Sequence, residues 1–341
     1  MRPDEKKIIL TAADAKSVSK GHATAVGELL DLKKPHPNVR GIGVGVKWKN
    51  GQPTGEPAVL VLVTHKIAKE DLSKAEMVPS KIGNLPTDVL AIGEPFAGDG
   101  EAGIQTLTKR IRPAKGGYSV GHKDITAGTI ATCVYDILPG GSTNPPVHGV
   151  GIPPKYYILS NNHVLANSNA ASLGDAILQP GPFDGGTDPA DRIATLSRFI
   201  PINFAPGSTN LVDCAIGEGQ FHDLDREIYW SCCVRGWRRK AGVEVGMTVK
   251  KTGRTTNFTT GRITAINATV DVNYGGGKVA RFVDQIVTTN MSAGGDSGSL
   301  VMKRDNIAVG LLFAGSSVAM IANQIENVRA LLRVEVAEQI L

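Results

Sequence analysis

The sequence predicts a mainly β fold with a helix near each end of the chain. Glycine is abundant, at 40 of 341 residues, and short runs rich in valine, isoleucine and threonine recur between clusters of glycine, asparagine and proline. Many short β runs separated by turn residues are typical of β-barrels and β-sandwiches. The length is sufficient for about two domains, one of them with a substantial core.

The first 97 residues predict a small α/β domain. Thr11, with Asp14 three positions later and apolar residues at helical spacing after it, predicts a capped amphipathic helix. Two β runs then flank Asn50 and Gly51, a pair that signals a hairpin, although we expect a connection longer than the ideal two residues. Residues 87–93 predict one more strand. This domain therefore combines one helix with several strands.

A linker and a larger β domain are predicted to follow. The predicted linker, residues 98–115, overlaps "AGDGEAG" (97–103) and "RPAKGG" (112–117), and glycine at this density favours turns and linkers. Residues 116–341 contain one β run after another, with almost no helical pattern until apolar residues recur at helical spacing near the end. That spacing predicts a C-terminal helix packed by one face.

Charge and hydropathy argue against nucleic-acid and membrane partners. The formal charge is +5, and the basic residues are spread along the chain. The densest basic cluster comprises Arg235, Arg238, Arg239 and Lys240. Because no recognisable nucleic-acid-binding module surrounds this cluster, a solvated loop is favoured over a nucleic-acid site. The longest apolar runs, residues 58–63 and 307–315, are too short to span a membrane.

The cysteines and the N-terminus bear on compartment and cofactors. Cys133, Cys214, Cys232 and Cys233 lack metal-ligand spacing, so we expect no metal or cofactor and four cysteines that are reduced and buried. The first 16 residues mix charges and lack the apolar core of a secretory signal. A cytoplasmic location is therefore expected.

The stretch "MSAGGDSGSLV", residues 291–301, raises the possibility of a reactive serine. A serine hydroxyl becomes an effective nucleophile only beside a base and near donors that stabilise an oxyanion. Glycines on either side of Ser297 allow a tight turn in which backbone N–H groups converge. A glycine-rich stretch alone is equally compatible with an ordinary turn.

Two further residues stand where a base and its orienting acid would be expected. Of the seven histidines, His163 directly follows an apolar strand, in "LSNNHVLAN". Asp213 lies in the apolar run "NLVDCAIG", where a carboxylate is costly unless it has a partner. Taken singly, a loop histidine that forms hydrogen bonds and an aspartate at a strand edge remain ordinary alternatives.

The order His163, Asp213, Ser297, within "LSNNHVLA", "VDCAI" and "GGDSGSLV", resembles the chymotrypsin-like serine peptidases. The stretch "KKTGRTTNFTTGRITAINATVDVNYG" is similar to the second-barrel hairpin of the streptogrisin and alpha-lytic branch. This resemblance covers roughly residues 116–325 and implies two six-stranded β-barrels. The layout of the whole chain is also similar to intracellular Narrow-leaf-type trypsin-like proteases.

The chain departs from the usual pattern of that family at a few positions. Asn161 and Asn162 stand where small residues are usual, and Ser299 stands where the serine motif usually has glycine. Asn257 replaces a usual glycine, and Met291 replaces a usual disulfide cysteine, in agreement with a reducing compartment. None of these changes removes a catalytic atom.

The resemblance implies a serine endopeptidase acting on protein or peptide substrates. Ser297 would attack the carbonyl carbon, His163 would accept and return the proton, and Asp213 would hold the imidazole. The backbone N–H groups of Gly295 and Ser297 would form the oxyanion hole. The alternative is a catalytically silent trypsin-like scaffold kept for protein binding.

The resemblance also implies a substrate pocket without charge. Its walls would be Met291, Ser292, Ala293, Gly294, Phe313, Ala314 and Gly315. Since none of these residues is acidic, we expect apolar or small side chains to be accepted and Lys and Arg to be rejected. Gly315 would leave room for antiparallel pairing with an extended substrate.

Two expectations concern how the active form arises. In the bacterial branch an internal cation pairs with the acid beside the nucleophile, and here Lys251 or Arg254 would pair with Asp296. The N-terminal domain is either a pro-like segment that is cut off or a retained regulatory or assembly domain. We favour the retained domain, with homo-oligomers formed through it.

Overall fold

The computed structural model describes residues 9–31, 34, 36–49, 52–67, 69–73, 76–97, 106–125, 127–337 and 339–341. The predicted N-terminal helix is confirmed as α1, Ala12–Leu29. The Thr11 hydroxyl accepts a hydrogen bond from the Asp14 N–H, so the helix begins where the capping signal placed it. Its buried side chains, among them Val18 and Ala25, join the core of the N-terminal region.

The N-terminal strands pack against this helix. They are β1 (Val39–Lys49), β2 (Gln52–Val63), β3 (Lys81–Ile82) and β4 (Leu85–Ala91). Strands β1 and β2 are antiparallel and remain paired as far as Lys49 and Gln52. Asn50 and Gly51, the predicted hairpin turn, lie outside the described residues. Strand β4 runs parallel to β2, and a 3₁₀ turn, Lys69–Asp71, lies in the connection between β2 and β3.

The first large sheet carries most of the following strands. In chain order the strands are β5 (Ala114–Gly116), β6 (Ser119–His122), β7 (Gly128–Thr129), β8 (Cys133–Asp136), β9 (Ser142–Thr143), β10 (Pro146–Val147), β11 (Tyr156–Ser160), β12 (Ala176–Leu178), β13 (Arg192–Phe199), β14 (Ala215–Gly219), β15 (Leu224–Ile228) and β16 (Cys232–Cys233). A one-turn helix, α2 (Asn162–Leu165), directly follows β11. Strands β8, β11, β14, β13, β12, β6 and β7 are neighbours in that order. Because residues 128–136 pair with β6 at one end and with β11 at the other, this sheet closes on itself, and we call it the first barrel.

The second group of strands closes into a barrel. The remaining elements are β17 (Gly236–Trp237), β18 (Thr248–Gly253), β19 (Asn257–Asn273), β20 (Val279–Thr289), β21 (Leu300–Lys303), β22 (Ile307–Gly315), β23 (Ala319–Gln324), α3 (Ile325–Leu332) and β24 (Val334–Glu335). The order β18-β21-β22-β23-β20-β19 returns to its start because β18 also pairs with β19. The mainly β fold and the C-terminal helix are therefore confirmed, and the second barrel has the six strands that the resemblance implied. Strand β24 pairs with β8 and so extends the first sheet.

The N-terminal strands and the second barrel share one sheet. Strand β1 pairs antiparallel with the second half of β19, with Gly41 opposite Val270 and Val44 opposite Ile266. A Cβ on Gly41 would lie only 2.4 Å from the Thr269 carbonyl oxygen, so glycine permits this close approach. Of the predicted linker, residues 98–105 lie outside the described residues. The described remainder contacts both barrels, for example through the Leu107 N–H, which donates to the Arg254 carbonyl.

Two findings concern compartment and membrane. No helix among the described residues is long and apolar enough to cross a membrane. All four cysteines are free, but only Cys133 and Cys214 are buried. The expectation that all four are buried is wrong for Cys232 and Cys233, because their short strand β16 lies at the surface.

Candidate active site

His163 and Asp213 form a directly bonded pair between β11 and the start of β14. Strand β11 ends at Ser160, and the one-turn helix α2 then carries His163. His163 Nδ1 lies 2.6 Å from Asp213 Oδ2, and the His163 backbone N–H donates to Asp213 Oδ1 at 3.2 Å. The structure thus brings together two of the three predicted catalytic residues. Asp213 holds His163 through both its ring and its backbone N–H.

The other ring nitrogen of His163 is free to act as a base. The Nε2 atom is buried and makes no hydrogen bond within the described part of the chain. Since Nδ1 lies against a carboxylate, the proton of a neutral imidazole is held on Nδ1, and Nε2 presents its lone pair. The side chain is about 10% exposed, so the ring is largely enclosed.

Asp213 is fully buried and has polar partners on every side. The Tyr274 hydroxyl donates to Asp213 Oδ2 at 2.7 Å, and the Tyr274 ring meets the His163 ring edge-on at 5.9 Å between centroids. Burial, reinforced by the neighbouring carboxylate, holds the pKa of Tyr274 well above its ordinary value, so the hydroxyl stays a donor. Sequence reasoning missed Tyr274, because a tyrosine at the end of a strand carries no recognisable signal.

The two unusual asparagines before the histidine hold the backbone of the site. The Asn161 side chain donates to the Asp213 carbonyl oxygen at 2.7 Å. The Asn162 side chain donates to the Ile200 carbonyl oxygen and to Asn169, which in turn donates a backbone N–H to Asn162. Both asparagines are buried and hydrogen-bonded, so this departure from the family pattern gives the histidine turn additional anchors.

Ser297 lies at the junction of the two barrels, held by Thr129. The Thr129 N–H donates to the Ser297 carbonyl oxygen at 2.7 Å, and the Thr129 hydroxyl donates to the Gly295 carbonyl oxygen at 2.9 Å. The Thr129 carbonyl oxygen accepts from Ser160, three residues before His163. Thr129, which sequence reasoning also missed, therefore connects the loop that carries Ser297 to β11, the strand that precedes His163. We call residues 290–299 the serine loop.

The backbone N–H of Gly295 points away from the Thr255 hydroxyl. The preceding carbonyl, that of Gly294, accepts a hydrogen bond from the Thr255 hydroxyl at 2.7 Å. In a trans peptide the carbonyl and the next N–H point in opposite directions, so this bond turns the Gly295 N–H to the other side. Gly295 has a φ of +88°, a left-handed value that favours glycine.

The backbone N–H of Ser297 is oriented in the same way. The carbonyl oxygen of Asp296 accepts from the Ser299 hydroxyl at 2.6 Å and from the Ser299 N–H at 3.0 Å. Neither the Gly295 nor the Ser297 N–H donates to an acceptor within the described residues. Two backbone donors are therefore unused beside the serine, and Ser299, the unusual residue of the motif, fixes one of them.

The Asp296 side chain anchors the serine loop through an ion pair and several hydrogen bonds. Lys251 Nζ lies 3.0 Å from Asp296 Oδ2, and both side chains are completely buried. The carboxylate also accepts from the backbone N–H groups of Thr255, Thr256 and Ala293 and from the Thr256 hydroxyl. Burial lowers the pKa of Lys251, and the Asp296 carboxylate opposes that shift.

Arg254, the second candidate partner of Asp296, has a different partner. Its guanidinium forms a two-bond pair with the Asp184 carboxylate, which belongs to a loop of the first sheet. It also stacks over the Phe183 ring and donates to the Thr255 hydroxyl. The structure therefore gives Lys251 the role that the sequence left open between two cations, and Arg254 joins the two barrels.

A cavity of about 380 Å³ lies beside Ser297. Its lining residues are Phe96, Asn290, Ser292, Ala293, Gly294, Ser297, Leu312, Ala314, Gly315, Ser316 and Ser317. Five of the seven predicted pocket residues are among them. Within the described chain, no charged side chain lines this cavity.

Met291 and Phe313 were predicted to line the pocket, and for these two residues the prediction is wrong. Phe313 is fully buried in the core, because side chains alternate along β22 and its neighbours Leu312 and Ala314 face the cavity. Met291 packs into the core of the second barrel, and its sulfur would lie 2.6 Å from a Cβ placed on Gly261.

The basic cluster around residues 235–240 is largely engaged in contacts within the chain. Several members of the basic cluster are already bonded: Lys240 pairs with Asp284, Arg239 with Glu326, and Arg238 donates to the Gly242 carbonyl oxygen. Among the described residues, no group of three or more His, Cys, Asp or Glu side chains is arranged to hold a metal ion.

Comparison with known proteins identifies relatives among bacterial proteases. The chain is 44% identical over 173 residues to "Glutamyl endopeptidase 2" of Streptomyces griseus, an alignment that covers 50% of this chain and 71% of that protein. It is 45% identical over 74 residues to "Serine protease 2" of Streptomyces fradiae, covering 21% of this chain but only 33% of that protein. Among solved structures, protease A of Thermobifida fusca superposes with a TM-score of 0.45 at 14% identity, covering 66% of this chain and 98% of that one. No protein-family profile matches the sequence.

Proposed function

The chain belongs to the chymotrypsin-like serine endopeptidases, and from that premise we propose that Ser297, His163 and Asp213 are its catalytic residues. The observation that carries this assignment is the His163–Asp213 pair, 2.6 Å apart, together with the buried and unbonded Nε2. A base oriented in this way is what a serine nucleophile needs. The motif that contains Ser297 packs against the same strand end through Thr129.

The reaction then runs in two halves. Nε2 of His163 accepts the Ser297 hydroxyl proton as the oxygen bonds to the substrate carbonyl carbon, and the imidazolium later gives that proton to the leaving amine. Water repeats the cycle on the acyl-enzyme and releases the acid. Asp213 stabilises the imidazolium in both halves, because its carboxylate is held against Nδ1 by Tyr274 and by the His163 backbone.

The oxyanion of each tetrahedral intermediate is stabilised by the N–H groups of Gly295 and Ser297. Their orientation is set beforehand by the carbonyls of Gly294 and Asp296, which are bonded to Thr255 and Ser299. Donors fixed in advance need no rearrangement during the reaction, and one such donor contributes on the order of 3 kcal/mol to lowering the barrier.

The first test is covalent labelling of Ser297 by a small fluorophosphonate probe. We expect the wild-type protein to label and to cleave a casein substrate, and Ser297→Ala to do neither. Ser172→Ala is the matched control, since it removes the hydroxyl of an exposed serine in a loop of the first sheet and leaves the proposed nucleophile and its neighbours unchanged. Labelling of the Ser297→Ala protein would overturn the assignment.

One argument for the silent-scaffold alternative is the unusual pair Asn161 and Asn162. Both side chains have partners that hold the histidine turn, so this pair is equally consistent with a working histidine. A protein that labels but hydrolyses no peptide from a mixed library would support the silent scaffold.

We also propose that the residue before the cut is apolar or small. The cavity beside Ser297 is lined by serines, small residues and leucine, and no described lining residue could pair with a charged substrate side chain. The name of the Streptomyces griseus relative indicates cleavage after glutamate by that protein, and this cavity offers no cation for glutamate. Digestion of a peptide library would contradict the proposal if cleavage after Lys, Arg or Glu dominated.

We also propose a cytoplasmic location and a homo-oligomeric assembly. Four free cysteines suit a reducing compartment, which supports a cytoplasmic location. Homo-oligomers through the N-terminal domain, kept as a regulatory or assembly unit, stay a prediction. Light scattering of the purified full chain measures that state directly, and comparing the masses of wild-type and Ser297→Ala protein shows whether the enzyme cuts itself near residues 98–115.

A further inference from the structure

A short segment from the N-terminal region, residues 94–97, lies along the edge of the cavity beside Ser297, which we call the cleft. The Phe96 N–H donates to the Gly315 carbonyl oxygen at 3.2 Å, and the Gly315 N–H donates to the Phe96 carbonyl oxygen at 3.3 Å. Phe96 and Gly315 are therefore an antiparallel pair. We call residues 94–97 the cleft segment.

The cleft segment is held on its other side as well. The Ala97 N–H donates to the Asn273 carbonyl oxygen, and the Asn273 N–H donates to the Pro95 carbonyl oxygen, each at 3.1 Å. At the start of the segment, Glu94 forms an ion pair with Arg40 at 2.7 Å. The segment is thus a strand between two neighbours, attached to the N-terminal sheet.

Gly315 is the residue on which an extended substrate would have to pair. It ends β22 and lines the same cavity as Ser297. Peptides that bind by strand addition use the free N–H and C=O of an edge residue. Here both groups of Gly315 already bond to Phe96, and the Phe96 side chain itself lines the cavity.

Building on the proposed function, we propose that the cleft segment closes the subsites for the third and earlier residues before the scissile bond. The enzyme then recognises a substrate by the one or two residues before the cut and by the residues after it. Extending a substrate further toward its N-terminus adds no binding, because the chain's own strand occupies that position.

The test is a substrate length series on the full-length protein. Peptide anilides with two or four residues before the scissile bond, and the same small apolar residue at the cut, are compared by kcat/KM. For the wild-type protein we expect values within about twofold of each other, since the two extra residues find no backbone partner. A gain of about tenfold or more, the effect of one or two net hydrogen bonds, would overturn the proposal.

A pair of variants separates backbone pairing from the aromatic side chain. Phe96→Pro removes the N–H that donates to Gly315 and places a proline ring against the edge of β22. The kcat/KM of the longer substrate should then exceed that of the shorter one about tenfold. Phe96→Ala removes the same aromatic ring but keeps the N–H, so its ratio should match that of the wild type. Equal ratios in all three proteins would contradict the proposal. If Phe96→Pro does not fold, the wild-type series alone decides.

Fluorophosphonate labelling keeps this proposal distinct from the proposed function. The probe needs only the serine and its base, so it reports on Ser297 whatever the state of the cleft segment. A chain that neither labels nor hydrolyses contradicts the catalytic assignment itself. A chain that labels, and that gains strongly from longer substrates without any substitution, contradicts only the closed subsites.

Discussion

The molecule buries two aspartates at its active site and satisfies them in opposite ways. Asp213 is surrounded by an imidazole, a tyrosine hydroxyl and a backbone N–H, none of which carries a permanent charge. Asp296 faces the ammonium group of Lys251 together with three backbone N–H groups and a hydroxyl. Both carboxylates are completely buried.

This difference matches the proposed role of each carboxylate. A carboxylate that already has a full cation gains little when another positive charge forms nearby, whereas one held by neutral donors can stabilise a new imidazolium strongly. Asp213 therefore suits a step in which charge appears and disappears. Asp296 suits a static role, in which its many donors define the shape of the serine loop.

The largest effect should follow from Asp213→Asn. The amide keeps the shape but can donate to Nδ1, which would put the imidazole proton on Nε2 and remove the base. We expect kcat to fall by about 10⁴-fold while the protein still folds. Asp271→Asn, which breaks a pair with Arg281 elsewhere in the second barrel, is the control. A loss of less than about tenfold for Asp213→Asn would show that the two aspartates are not so different.

A smaller effect, on folding, is expected from Lys251→Met. The substitution leaves Asp296 buried without its cation, and we expect the free energy of unfolding in urea to fall by about 3 kcal/mol, with slower labelling of Ser297. Lys250→Met is the control, because that neighbouring lysine bonds to a surface-side asparagine, Asn306. The double variant Lys251→Met, Asp296→Asn should cost less than the sum of its two single variants. Simple additivity would contradict a direct pair.

The smallest effect concerns Tyr274 at alkaline pH. Its raised pKa keeps the hydroxyl protonated in the folded chain, whereas the unfolded chain releases that proton near pH 10. Above about pH 10 the unfolded state binds fewer protons, so stability falls as pH rises, by up to about 1.4 kcal/mol per pH unit for one group.

The variant Tyr274→Phe lacks this contribution to the loss of stability. Urea unfolding at about pH 9 and pH 11 should therefore show a smaller decrease for Tyr274→Phe than for the wild type. Tyr156→Phe, a half-buried tyrosine whose ring packs on Phe221, serves as the comparison. An identical decrease in all three proteins would mean that the Asp213 environment does not hold the tyrosine proton.

Local motifs in the sequence suggested the residues of the proposed triad, and the resemblance of their order to a known family selected them. Each of the three stands in a short motif whose neighbours imply a turn or a buried strand, and the helix capped by Thr11 begins where its signal lies. The partners that position the triad carry no such signal. Thr129 reaches Gly295 across 166 positions of the chain, a contact that exists only because two barrels pack together.

The errors in the predicted pocket have an equally simple cause. Met291 and Phe313 are large and apolar, so they were plausible walls. Phe313 lies on β22, where side chains alternate between core and cavity, and Met291 lies in the loop after β20 and packs into the core of the second barrel. The sequence alone does not show which of two neighbouring strand residues faces the core and which faces the cavity. Phe96 was missed for another reason, since the segment around it has no periodic pattern and acquires a role only through Gly315.

The pairing of β1 with β19 has a practical consequence for anyone who purifies this protein. A chain cut between residues 97 and 106 would leave its two pieces joined by the ladder between Gly41 and Val270 and by the buried side chains around it. Such a nicked sample would elute as a single species from a sizing column and separate into two bands only in detergent. Intactness should therefore be judged under denaturing conditions before any measured activity is attributed to the uncut chain.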